Sequence, residues 1–314
     1  MPKAGGALVA IGNFDGVHAG HRAVLSRASA DARARGLSLV VLTFHPHPAE
    51  VLGRRTQTVL TPLDRKVELL CRLDPELCVV VEPFTKALAA MTAEAFVEKL
   101  LVAALGAKIV VVGQNFRFGH SRAGDLGLLE RLGREHGFEA RAEALAGDAE
   151  GPFSSSRVRA SIRQGDLRDA ERVLGRPHAL SGTVVRGDGR GRRLGIPTAN
   201  LASVAEALPP DGVYATLTDR VDPAGRATRL AASVTNIGKR PTVGAGFSVE
   251  TYLFDFDGDL YGSTLRVHLV ERVRDERRFA SVDELVQQIH RDVDAARRAT
   301  SRRTPDPSAN GAWY

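Results

Sequence analysis

Cysteine is nearly absent: Cys71 and Cys78 are the only two in 314 residues. Two thiols do not make a disulfide framework in a chain this long. With no neighbouring Cys they do not make a zinc site either. Both stand in apolar surroundings, ELLCRL and ELCVVV, so core packing is their expected role. No apolar run approaches the roughly 20 residues that span a bilayer. The first residues, MPKAGGALVAIG, lack the charged, apolar and cleavage-site regions of a signal peptide. There is no internal repeat. These absences point to a reduced, cytoplasmic protein with no membrane partner. A concentrated basic stripe is missing too. The net charge is +6 and the basic residues are spread along most of the chain, which suits first an excess of surface arginine on a soluble protein, next a handler of phosphates and third a nucleic-acid binder. The tight basic cluster Arg297, Arg298, Arg302 and Arg303 reads as a solvated, frayed end.

What is present is a change of pattern halfway. The hydrophobic fraction of 43% and charged fraction of 25% suit a soluble globular protein, and the length suits two domains. In the first half, apolar runs at Ala7–Ile11, Leu37–Thr43, Leu77–Val81 and Lys108–Val112 alternate with helical spacing at His21–Arg35, Leu63–Arg72, Ala93–Leu105 and Leu126–His136. That alternation predicts an α/β domain with a doubly wound parallel sheet. Helical spacing continues at Ser154–Gln164 and Leu167–Leu174, and GRPHALSG then breaks it. In the second half, short β-like runs separated by Gly, Pro and Asp predict an antiparallel β-barrel. A terminal helix follows over about Val282–Arg298, with Ser281 as N-cap and Glu284 as its capping-box partner. The expected division is 1–178, 179–299 and a disordered tail at 300–314.

Ligands of open α/β sheets bind at strand carboxyl ends, and the informative loops follow strands. Residues 12–21 read GNFDGVHAGH. Gly12, Gly16 and Gly20 allow a tight turn and close approach, and a helix N-terminus offers free N–H groups to phosphate. His18 and His21 share one face of the first turn and can donate to charge building at phosphorus. A zinc reading of His-x-x-His finds no third ligand at suitable spacing. In TFHPHP, Thr43–Pro48, prolines stiffen an extended loop that either presents Phe44, His45 and His47 to a planar ring or, as the motif alone favours, is a rigid surface turn. In GQNFRFG, Asn115 offers donor and acceptor on one amide, while Phe116 and Phe118 either stack on a ring or fill the core. SSSRVR, Ser154–Arg159, offers hydroxyls, a helix start and the Arg157 fork, or ordinary capping.

The second candidate site is GTVVRGDGRGRRLGIPTAN, residues 182–200. Gly187, Gly189, Gly191 and Gly195 interleave with Arg190, Arg192 and Arg193. Such a loop covers phosphates with N–H groups or serves as a mobile connector. It is not a Walker A loop, because no G-K-[ST] follows. Thr198 and Asn200 alternate onto one side of an extended segment and supply hard oxygen donors of the kind Mg²⁺ takes.

These motifs together resemble those of the prokaryotic bifunctional riboflavin kinase/FAD synthetases. GxFDGVHxGH resembles the family's nucleotidylyltransferase signature, and Gly182–Asn200 resembles its flavokinase signature. DGVYA, NIGKRPTVG and ETYLFDFDGDLYG continue the match, which covers about residues 7–298. The resemblance implies a nucleotidylyltransferase domain and then a kinase barrel. It implies phosphorylation of riboflavin to FMN and adenylylation of FMN to FAD, with ATP as co-substrate and Mg²⁺ or another divalent ion. It assigns His18, His21 and Glu250 to catalysis, Glu250 as general base. It assigns Gly12, Phe14, Asp15, Gly16, Ser155, Ser156, Arg157, Gly187, Gly191 and Arg192 to ATP and its phosphates, with Arg159 added. It assigns His47 and Asn115 to substrate placement and Thr198 and Asn200 to the metal. Asn115 stands where many members carry Asp, and Ser156 where Thr is common. Asp255, Asp257 and Asp259 read as turn and surface residues. The competing readings are a single-activity enzyme, a nucleic-acid-binding protein and a non-catalytic flavin binder.

Overall fold

A computed structural model describes residues 5–53, 58–144, 146–187, 189, 191, 194–239 and 247–314. The chain divides into two compact units. One is Met1–Gln57 with Leu63–Ser154, and the other is Thr58–Pro62 with Ser155–Tyr314.

The first unit is a five-stranded parallel sheet in the order β3-β2-β1-β4-β5. Its strands are β1 (Ala7–Ile11), β2 (Ser38–His45), β3 (Cys78–Pro83), β4 (Ala107–Gly113) and β5 (Glu139–Glu143). The central strands are Val- and Leu-rich because helices cover both faces. One face packs α1 (Ala19–Ala34) and, beyond a short α2 (Pro48–Val51), α3 (Leu63–Cys71). The other packs the short α4 (Lys86–Ala89), then α5 (Ala93–Phe96) running into a π-helical turn over Val97–Ala104, and α6 (Leu126–His136). Strand β5 escapes the sequence pattern because EARAE carries charge at a sheet edge. Two short strands, β6 (Gly147–Asp148) and β7 (Gly151–Pro152), form a separate hairpin.

Both cysteines are exposed, against the expectation of core packing. Leu69 and Leu70 take the inward positions of α3, which leaves its last residue, Cys71, outside. Cys78 opens β3, the edge strand.

The second unit begins with α7 (Ser155–Gln164) and α8 (Leu167–Leu174), which pack on each other. The compact division therefore falls at Ser154/Ser155 rather than near residue 178, because α8 also packs against the last barrel strand. The barrel strands are β8 (Ala179–Val185), β9 (Ala199–Ala202), β10 (Gly212–Val221), β11 (Ala227–Lys239), β12 (Phe247–Leu253) and β13 (Thr264–Asp275). They close in the order β10-β11-β12-β9-β8-β13, antiparallel throughout. Tyr214, Ile237, Val249 and Leu265 fill the interior. The hydroxyls of Thr216, Thr218, Ser233, Thr235 and Thr251, all fully buried, bond to one another at 2.7–2.9 Å. A buried polar chain is tolerated when its members satisfy each other.

The terminal helix α9 (Val282–Thr300) covers the outer face at Val213, Ala215 and Val234 through Ala296. Ser281 Oγ accepts from the Glu284 N–H at 3.1 Å. The reciprocal arm differs from a capping box, since Glu284 Oε2 accepts from Ala280 N–H at 3.1 Å.

Residues 301–314 are ordered, not the disordered tail expected from composition. Among the cluster read as a frayed end, Arg303 pairs with Glu171 of α8, and Arg297 makes two bonds to Asp255, at 2.8 and 2.9 Å. Ala309 and Ala312 are buried against Ala227. The Trp313 N–H donates to Asp219 at 3.0 Å. Asp219 is fully buried and lies 2.8 Å from His268 Nε2, and the Tyr314 ring meets that imidazole edge-on, with centroids 5.4 Å apart. A composition of small and polar residues looks unable to fold, but here it covers a buried hydrogen-bonded pair, Asp219 and His268. Deleting residues 301–314 is expected to lower the unfolding midpoint of the second unit by roughly 5 °C or more. Thermal unfolding followed by circular dichroism checks this, and an unchanged midpoint would contradict the tail's structural role.

Candidate functional site

In the first unit, β1 ends at Ile11 and the chain must turn at once into α1. It does so through a strained loop. Phe14 and Val17 have φ of 48° and 39°, and Gly16 has φ of 86°. Non-Gly residues with positive φ cost energy and concentrate at ligand sites. The strain is held by packing: Phe14 is 5% and Val17 1% exposed, and both belong to the apolar cluster of α1 and α3. Gly20 has no room for a side chain, since a Cβ would meet the Phe153 carbonyl at 2.9 Å.

His18 caps α1. Its Nδ1 accepts from the His21 N–H at 3.3 Å. An accepting Nδ1 leaves the proton of a neutral imidazole on Nε2. The two histidine rings stack, with centroids 3.6 Å apart and planes at 21°. Phe14 meets His21 edge-on at 5.1 Å. The structure thus brings His18 and His21 together at a helix N-terminus, beside Gly12, Phe14, Asp15 and Gly16. Asp15 is buried, 8% exposed.

Next to this loop lies a cleft of about 750 Å³, lined by Gly12, Phe44, His47, Asn115 and Phe116 among others. The two readings of the GQNFRFG rings separate here. Phe118 is buried, 5% exposed, and the half-buried Phe116 stacks on it at 5.4 Å; both border the cleft. His47 caps α2, and its Nδ1 accepts from Ala49 N–H at 3.1 Å. Its Nε2 lies 3.2 Å from the Asn13 amide. The atom that faces Nε2 is Asn13 Nδ2, so this contact ties the loop after β1 to the His47 loop. Asn13 is a cleft residue that sequence reasoning misses. Its only signal is its place inside GNFDG.

Ser155, Ser156 and Arg157 open α7 and belong to the second unit. The Arg157 fork is engaged by Asp169, at 2.6 Å from Nη2 and 3.2 Å from Nε. Those bonds, with Ser161 and Arg172, hold the Asp169 carboxyl well below the usual carboxylate range. Arg159 is buried, and its Nε donates to the Thr58 carbonyl at 2.7 Å.

In the barrel, register assembles the second site. Glu250 lies directly opposite Asn200 on β9 and opposite Asn236 on β11. Directly paired residues project to the same side of a sheet, so a carboxylate stands between two amides. Ser248 Oγ donates to Glu250 Oε1 at 2.9 Å. Asn236 and Ser248 also escape sequence reasoning, because only strand pairing reveals them. A Cβ on Gly187 would fall 2.6 Å from the Asn200 side chain, and one on Gly191 would fall 3.3 Å from Thr198 Oγ1. The glycines therefore form a close cradle over the two hard oxygen donors. Arg192, like Arg190 and Arg193, lies outside the described residues. Thr198 lines a shallow cleft of about 380 Å³ with Asp257, Asp259 and Tyr261. The two aspartates are exposed turn residues, as expected, yet they border this cleft.

Comparison with known proteins agrees with this geometry. The profile of the FAD synthetase family matches residues 1–157, and that of the riboflavin kinase family matches residues 174–300. The bifunctional riboflavin kinase/FMN adenylyltransferase of Escherichia coli (strain K12) is 41% identical over 93% of this chain and 92% of its own. That of Bacillus subtilis (strain 168) is 34% identical over 92% and 91%. A crystal structure of a Streptococcus pneumoniae protein described as a macrolide-efflux protein superposes with a TM-score of 0.80. It shares 30% identity, covering 94% of this chain and 95% of that one. Among the described residues, no helix is long and apolar enough to cross a membrane. With both family profiles matched and relatives of this identity aligned end to end, the chain belongs to the family of bifunctional riboflavin kinase/FMN adenylyltransferases.

Proposed function

We propose that the second unit phosphorylates riboflavin to FMN and the first adenylylates FMN to FAD, each with ATP, at separate sites. The observation that supports this is that each unit holds its own cluster of polar side chains, the His18–His21 stack in the first and the Asn200–Glu250–Asn236 row in the second.

In the adenylyl step, a phosphate oxygen of FMN attacks the α-phosphorus of ATP. The bond from that phosphorus to the bridging oxygen breaks, and pyrophosphate leaves. His18 Nε2–H and the His21 ring donate to the charge gathering on the phosphoryl oxygens. No covalent intermediate on the chain is needed. The cleft beside the loop takes the flavin, with the Phe116 face against the ring and His47, Asn13 and Asn115 reading its polar edge. The assignment of Ser155, Ser156 and Arg157 to ATP phosphates rests on the resemblance alone.

In the kinase step, the ribityl hydroxyl attacks the γ-phosphorus and ADP leaves. Glu250 Oε1 already accepts from Ser248, so Oε2 is the oxygen that takes the hydroxyl proton. Thr198 Oγ1 and the Asn200 amide oxygen fit a Mg²⁺ ion held together with ATP phosphates. When bound, such an ion neutralises charge on the transferring phosphoryl group. Gly187 and Gly191 bring backbone close enough to cover those phosphates. The substrates are riboflavin, FMN and ATP, with FAD as product. Neither nucleic acid nor a membrane enters this reading, and we place the protein in the cytoplasm.

A time course with riboflavin, ATP and Mg²⁺ tests the reading. FMN is expected to rise first and then give way to FAD. His21→Ala is expected to cut FAD formation by about a hundredfold to a thousandfold and to leave FMN formation unchanged. Glu250→Gln is expected to cut FMN formation by about a hundredfold or more, while FAD still forms when FMN is supplied. Chromatography of the flavins measures all three. Loss of both activities in either folded variant would contradict two separate sites.

A further inference from the structure

One cation of the first unit has no part in the chemistry above. Lys66 lies in the first turn of α3 and is 8% exposed. Among the described residues its ammonium makes no hydrogen bond and no ion pair. Its neighbour in the same turn, Arg65, is 4% exposed and pairs with Glu68 at 2.7 Å. Burial holds the Lys66 pKa below the ordinary lysine value, and the Asp15 carboxylate offsets part of that. A mostly dry ammonium without an acceptor costs free energy. The Lys66 nitrogen is not one of the fully enclosed, unsatisfied polar atoms. Its stem is therefore packed while its head reaches open space.

The topology says which space. Helix α3 leads into β3, and β3 is parallel to β1 and β2. A helix preceding a strand in such a sheet runs against it, so its first turn lies at the carboxyl edge. The loop after β1 lies at the same edge. Phe14 and Val17 of that loop share one apolar cluster with Leu69 and Leu70 of α3 and Leu25 of α1. Lys66 therefore stands on the face that carries the α1 N-terminus, and Asp15 of that loop is the charge that acts on it.

We propose that Lys66 binds the triphosphate of ATP during adenylyl transfer, its ammonium taking an anionic oxygen of the departing pyrophosphate. An ammonium supplies three donors and a compact charge. When the bond between the α-phosphorus and the bridging oxygen breaks, the electron pair passes to pyrophosphate, and a fixed cation there lowers the barrier. The ligand is the polyphosphate, not the flavin. The proposal rests on the reading that the first unit adenylylates FMN.

The test compares Lys66→Met, which keeps much of the packing volume, with Lys66→Arg, which keeps the charge. FAD formation is assayed from FMN and ATP, and the reverse reaction from FAD and pyrophosphate. FMN formation by the second unit reports on the rest of the chain. For Lys66→Met, kcat/KM is expected to fall roughly tenfold to a hundredfold for ATP and for pyrophosphate alike. KM for FMN and FMN formation from riboflavin should stay within about twofold of wild type. Lys66→Arg should recover most of the loss. An unchanged kcat/KM for ATP in Lys66→Met would overturn the proposal. So would KM values for ATP and FMN raised alike together with a lowered unfolding midpoint, because that marks packing alone. Wild-type protein that makes no FAD from FMN would instead remove the reading of the first unit.

Discussion

A phosphoryl group is transferred only where the charge it gathers is met by donors already in place, and the first unit meets that constraint with a turn that has almost no freedom. Strand β1 ends and α1 begins within a few residues, with Phe14 and Val17 forced to positive φ. The cost is carried by the apolar cluster that locks those side chains against α1 and α3. Once the turn is fixed, His18 caps the helix and His21 stacks on it at the helix start. Gly20 follows from the same constraint, since a Cβ would strike Phe153. The turn thus sets the direction of the donors before any substrate arrives, which is the condition for electrostatic stabilisation without reorganisation.

The barrel reaches the same end by different means. Among the described residues it relies on strand register. Three neighbouring strands place Asn200, Glu250 and Asn236 in one row on the outer side. Side chains inside the barrel alternate with these, and the hydroxyl chain from Thr218 to Thr251 holds the interior polar groups satisfied. A one-residue slip would turn Glu250 into the core and bring Val249 out. Closure of the barrel makes such a slip costly, because every strand is paired on both sides.

Much of this was legible before any coordinates. Strand β1 and helices α6 and α8 follow from the sequence to the residue, because their apolar periods are clean and their ends are marked. Strand β5 was not, since its charged alternation suits an edge and resembles a loop. Nor was β9 as a paired strand, although Thr198 and Asn200 were read as sharing a side. The loop motifs announce His18, His21, His47 and Glu250. The residues that support them, Asn13, Ser248 and Asn236, are set by contacts across the chain and leave no local signature. The tail failed for the opposite reason. Its composition is that of a disordered segment, and its order comes from capping a buried pair, Asp219 and His268, that the sequence does not show to be buried.

The central claim is that one chain carries two different phosphorus chemistries at two sites. Supplying riboflavin with ATP labelled either at the γ- or at the α-phosphorus tests it directly. FMN is expected to acquire only the γ-label, and FAD to carry one phosphorus derived from the γ-position and one from the α-position. FMN bearing the α-label, or FAD lacking it, would contradict the account.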